Sequence, residues 1–129
     1  MKLIIYDGKL RIDLSDLEKV LAIKSDFEIS LEHIVEVRTE VPETSWKEIR
    51  APGTYLPGVI KAGTYYTPRG KEFWYVTKKG CLVLELRDEP YRRIVLSVDK
   101  YKQWAERIKK AISKHHQASL SQEEDQTKA

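Results

Sequence analysis

The hydrophobic pattern of this chain changes period once, near Asp99, and that change limits the folds open to it. Before it, apolar residues alternate in short runs broken by turn residues. After it, Tyr101, Trp104, Ala105, Ile108, Ala111 and Ile112 recur at steps of three and one. Alternation marks half-buried strands, whereas steps of three and one place apolar residues along one stripe of a helix. The chain therefore reads as a series of β-strands closed by a single amphipathic helix, in one domain of 129 residues.

The strand region can be divided by its turns. Leu3–Tyr6 and Leu10–Leu14 flank Asp7-Gly8, a pair that favours a two-residue hairpin. Ser15-Asp16-Leu17-Glu18 is a capping box, and it predicts a short helix over 15–22 with Leu17, Val20 and Leu21 on its apolar side. Phe27, Ile29 and Leu31 alternate. A further strand is predicted from Ile34 to Thr39, with Val35 and Val37 on one face. Strands at 58–66, 71–78, 81–87 and 92–98 follow, joined by Pro68-Arg69-Gly70, Lys79-Gly80 and Asp88-Glu89-Pro90. Their short connections predict antiparallel neighbours. Residues 40–57 have no periodicity and read as a long shaped loop. Residues 1–117 form the predicted domain, and the polar stretch 118–129 is the expected tail.

Composition narrows the function. No apolar run is long enough to span a membrane as a helix. The run before Asp7 is too short for a signal-peptide core. One cysteine, Cys81, has no internal partner. These features predict a cytoplasmic protein. The absence of asparagine and the 33% of charged residues match proteins from hot environments. Charge is uneven. Six basic residues stand against nine acidic ones over 1–41, seven against three over 42–79, and six against two over 99–117. The two basic stretches suit an anionic partner.

Several short pieces together resemble a family of small bacterial and archaeal proteins related to the pleckstrin-homology (PH) domain. They are Leu14–Lys19, Ile29–Leu31, Arg50-Ala51-Pro52-Gly53-Thr54, Leu56-Pro57-Gly58-Val59-Ile60, Gly63-Thr64-Tyr65, Lys71-Glu72-Phe73 and Arg93–Asp99. The resemblance implies a mainly β fold with a C-terminal helix: a PH-like barrel of two near-orthogonal antiparallel sheets, about seven or eight strands, with the helix plugging one end. It implies fold more than function. Lipid-binding PH domains use a basic β1–β2 loop. Here that connection is Asp7-Gly8, in a net acidic stretch.

No nucleophile, metal-ligand or phosphate-loop pattern appears in the sequence. His33 reads as a hydrogen-bonded surface residue. His115 and His116 point about 100° apart on a helix, a poor metal clamp. Cys81 reads as a small β-strand residue. The predicted function is a non-catalytic binding or adaptor module without a cofactor or metal, and its expected partner is a protein or peptide. Trp46, Arg50 and Tyr55, bulky residues in the 42–58 loop, are the first candidates for contact. The alternative is an anionic ligand, membrane lipid or nucleic acid, held by the basic and aromatic strands 58–79, and an enzyme of unknown type is a distant third. In those strands Lys61, Arg69 and Lys71 lie among Tyr65, Tyr66, Trp74 and Tyr75.

Overall fold

A computed structural model describes residues 1–22, 24–40, 42, 49–56, 60–77 and 80–127; over 49–56, 119 and 121–127 it describes the backbone alone. The described chain is mainly β, with nine strands in two sheets and a C-terminal helix.

The first sheet is a meander of β1 (Lys2–Tyr6), β2 (Lys9–Asp13) and β3 (Phe27–Ser30). Asp7 and Gly8, with φ of 45° and 71°, make the two-residue turn between β1 and β2. Helix α1 (Asp16–Ala22) links β2 to β3 and starts on the predicted capping box. The Ser15 N–H donates to Glu18 Oε1 at 2.7 Å, and the Glu18 N–H donates to Ser15 Oγ at 3.3 Å. Its packing differs from the prediction. Leu17 and Val20 are 66% and 71% exposed; of the predicted side only Leu21 packs on the core, beside buried Ala22. A 3-10 turn, Leu31–His33, leads into the second sheet.

That sheet contains β4 (Ile34–Arg38), β5 (Ile49–Leu56), β6 (Ile60–Thr67), β7 (Gly70–Val76), β8 (Leu82–Leu86) and β9 (Arg93–Leu96), in the spatial order β4-β8-β9-β7-β6-β5. Three expectations need correction here. First, β9 inserts between β7 and β8 and runs parallel to β7, so the four late strands are not a simple antiparallel series. The crossover between the parallel partners is β8 itself, which gives the connection its length. Second, β4 carries a bulge between Ile34 and Glu36. The extra residue turns Val35 out to solvent while Ile34 and Val37 both enter the core, so Val35 and Val37 do not share a face. Third, half of the predicted loop is strand β5, at the sheet edge, with its own register shift between Arg50 and Gly53.

The two sheets are not closed into a barrel: among the described residues no strand of one pairs with a strand of the other. They pack face to face instead. Leu3, Leu10, Ile12 and Ile29 meet Phe73, Leu82, Leu84, Ile94 and Leu96 in one core. Helix α2 (Tyr101–Thr127) covers one side of it with Ala105 and Ile108, flanked by half-buried Tyr101, Trp104, Ala111 and Ile112. The helix continues ten residues past Gln117, through the segment predicted as a tail.

Candidate functional site

Side chains alternate along β6 and β7, so the two faces of this hairpin have different surroundings. Tyr66 is paired with Lys71, Thr64 with Phe73, and Ala62 with Tyr75, all on the core-facing side. Tyr65 with Glu72, Gly63 with Trp74 and Lys61 with Val76 face the other way.

The second face is mostly buried. Tyr65, Trp74, Cys81, Val83 and Val95 form a small apolar cluster. Lys61, only 8% exposed, holds its Nζ 3.8 Å from the centre of the Trp74 ring and 4.2 Å from that of Tyr65. Glu72, 2% exposed, accepts from Trp74 Nε1 at 3.0 Å and from Arg92 Nε at 2.9 Å. Arg93 Nη1 stands 3.6 Å from the same carboxylate and donates from Nε to Glu85, which also pairs with Arg38. This charge network stiffens one end of the sheet. The rings expected as a stacking platform, Tyr65, Trp74 and Tyr75, are core residues.

The accessible chemistry lies at the other face, near the β6–β7 turn. Thr67 Oγ1 accepts from the Arg69 N–H at 3.2 Å and donates to the Gly70 carbonyl at 2.8 Å, which fixes the turn and leaves Arg69 exposed. Gly70 has φ of 132°, and a Cβ there would stand 3.2 Å from Arg92 Cδ, so glycine meets both the conformation and the close approach. Tyr91, from the β8–β9 connection, closes over Phe73 and Phe27 edge to face, at centroid distances of 6.2 and 5.4 Å. Its hydroxyl lies 3.1 Å from Thr64 Oγ1.

Two lysines converge on this tyrosine. Lys71 Nζ is 4.4 Å from the ring centre. Lys24, just beyond α1, has its Nζ 5.9 Å from the same centre and 4.4 Å from the centre of Phe27. Burial depresses the Lys24 ammonium below the usual lysine range, and the charge of Lys71 depresses it further; Asp26 acts weakly in the opposite sense. Among the described residues no carboxylate forms an ion pair with Lys24 or Lys71. Asp26 instead accepts from the Leu14 N–H at 2.8 Å and faces Lys19 at 3.7 Å. Half-exposed Tyr66 is registered opposite Lys71, and Arg69 is exposed in the turn that follows β6.

Of the six residues predicted from sequence, Lys71 and Arg69 lie on this surface, and Lys61 is on the opposite face of the hairpin. Trp46 lies outside the described residues. Arg50 and Tyr55 are registered opposite Tyr65 and Lys61 in β5, with their side chains outside the described set. Lys24 and Tyr91 were missed. Neither carries a local signal, because only the tertiary fold brings the end of α1 and the β8–β9 connection to the β6–β7 turn.

Concavities lie elsewhere among the described residues. An open cleft of about 600 Å³ lies between β1 and the start of α2, lined among others by Glu18, Tyr75, Ser97, Tyr101 and Trp104. Burial, and after it Glu18, raises the Tyr75 hydroxyl above its ordinary range. The second, about 370 Å³, lies under the middle of α2, where His115 meets Glu32 at 3.0 Å; His33, nearby in the chain, meets Glu89 at 2.9 Å. Among the described residues no group of three His, Cys, Asp or Glu is placed to hold a metal ion, and no helix is long and apolar enough to cross a membrane. No family model, curated protein or solved structure matches the chain.

Proposed function

We propose that this protein is a non-catalytic, cytoplasmic binding module that takes an acidic segment of a protein or peptide partner on the surface of Lys24, Tyr66, Arg69, Lys71 and Tyr91. The observation that carries this reading is the meeting of two ammonium groups at one tyrosine ring with no carboxylate paired to either among the described residues. Bringing like charges together at a half-buried position costs free energy. A partner's anionic group would offset that cost. Tyr66 and Arg69 beside the pair belong to the residue types that anchor interfaces. The order of elements, a largely β chain ending in a long helix, supports a distant kinship with PH-like proteins as part of the same proposal.

The test is fluorescence anisotropy with labelled peptides rich in Glu and Asp, beside peptides with Gln and Asn in their place. The acidic peptides should bind, and Lys24→Glu with Lys71→Glu should abolish binding while the circular dichroism spectrum is unchanged. Short RNA, single-stranded DNA and anionic vesicles serve as competitors at physiological salt. A nucleic acid or vesicle that binds more tightly than every acidic peptide, with the same lysine dependence, would overturn the peptide reading.

A further inference from the structure

We infer that the Lys24–Tyr91–Lys71 seat is matched to a dianion, so that the partner group it takes is a phosphate monoester, on a phosphorylated peptide, rather than a carboxylate. The inference rests on the reading of this surface as the partner-binding one.

Charge favours a dianion. Two ammonium groups stand 4.4 and 5.9 Å from the centre of one ring. A carboxylate brings one negative charge and would leave the site positive. A phosphate monoester brings about 1.5 to 2 negative charges near neutral pH, with three acceptor oxygens.

The supply of donors favours the dianion as well. Each ammonium has three N–H donors and no acceptor. Two ammonium groups therefore offer about six N–H donors at one place. A phosphate group has enough acceptors for these donors, and a single carboxylate has fewer.

Acids near the lysines are already engaged elsewhere. Asp26 is held by the Leu14 N–H and Lys19, Glu72 by Trp74, Arg92 and Arg93, and Glu89 by His33. None of these carboxylates pairs with the two lysines.

The experiment compares three peptides of one sequence with Ser, Glu or phosphoserine at the centre, by isothermal titration calorimetry. In parallel, inorganic phosphate is titrated while the Tyr91 ring signals are followed by NMR. The phosphoserine peptide should bind at least tenfold more tightly than the Glu peptide. That preference should shrink several-fold from pH 7.5 to pH 5, as the phosphate takes up its second proton near pH 6. Lys24→Gln and Lys71→Gln should each remove the preference, Lys→Arg at both positions should restore much of it, and melting temperatures should stay within a few degrees.

Equal binding of Glu and phosphoserine peptides overturns the dianion inference and leaves the acidic-peptide reading standing. Inorganic phosphate that shifts Tyr91 in a Lys71-dependent way, with no peptide bound, supports the dianion seat and overturns the peptide reading. Stronger binding to vesicles carrying a phosphomonoester headgroup than to the phosphopeptide overturns the assignment to a peptide. Silence in all arms overturns both.

Discussion

Replacing Glu72 by Gln tests the buried charge network that supports the candidate surface. The change keeps the shape of the side chain. It puts an amide N–H₂ where a carboxylate oxygen accepts from Arg92 Nε at 2.9 Å and meets Arg92 Nη2 at 2.5 Å. The remaining oxygen still serves the Trp74 indole. Two charge-assisted bonds are lost, each worth about 1.5–3 kcal/mol. Breaking a buried ion pair costs about 3–5 kcal/mol in general. Arg92 keeps 24% side-chain exposure and Arg93 keeps Glu85, so both cations retain some compensation. The lower end, about 3 kcal/mol, is expected. For a domain of this size that is a fall of roughly 10 °C in Tm. Urea denaturation followed by circular dichroism measures the free energy. A double-mutant cycle with Arg92→Met isolates the pair, and the double variant should cost well under the sum of the single ones. A loss below about 1 kcal/mol for Glu72→Gln, or an additive cycle, would refute the claim that the network holds this end of the sheet.

Gly80 has φ of 84°, and a Cβ there would lie 2.5 Å from Tyr101 Cζ; Gly80→Ala should cost about 2–3 kcal/mol, more than Gly8→Ala, and Tyr101→Ala in the same chain should recover part of it in urea titrations. Cys81 is fully buried, and burial pushes its thiol up to about 11. Iodoacetamide should therefore label it only after unfolding. Above about pH 9 the unfolded thiol gives up its proton while the folded one keeps it, so stability should fall by about 1.4 kcal/mol per pH unit up to about 11. In Cys81→Ala that part of the slope should vanish. Trp104 is half-buried at the cleft, with Arg107 4.1 Å from its ring, so Trp104→Ala should cost about 2 kcal/mol. Fully buried Ile108→Ala should cost more, about 3 kcal/mol, and the reverse order in urea would show that the stripe is misplaced.

Features set by neighbours in the chain were legible in the sequence. The Asp7-Gly8 turn, the Ser15–Glu18 capping box, the alternation of Phe27 and Ile29 and the stripe of α2 all depend on residues a few positions apart. Features set by distant partners were not. The insertion of β9 beside β7 depends on which strand reaches the sheet, and no spacing within 70–96 encodes that choice. The bulge that turns Val35 outward depends on the register with β8. Leu17 and Val20 have the spacing of a buried face, yet α1 is only two turns long and packs through Ala22. The candidate site divides along the same line. Composition pointed to Arg69 and Lys71, but it grouped Lys61 with them, and alternation along β6 and β7 puts Lys61 on the far face.

That division bears on how the surface is built. The buried face of the β6–β7 hairpin pairs its cation and anion internally: Lys61 is held against two rings, and Glu72 is held by two arginines. The arginine that neutralises Glu72 also donates its backbone N–H to the Lys71 carbonyl at 2.8 Å and packs its side chain under Gly70. The network thus fixes the strand position from which Lys71 reaches Tyr91. At the opposite face Lys71 meets Lys24 from beyond α1, and neither has a counter-charge among the described residues. A rigid sheet end satisfied on one side and uncompensated on the other presents charge without reorganising to do so. Preorganisation of this kind lowers the ordering cost of binding and leaves more of the electrostatic gain as affinity.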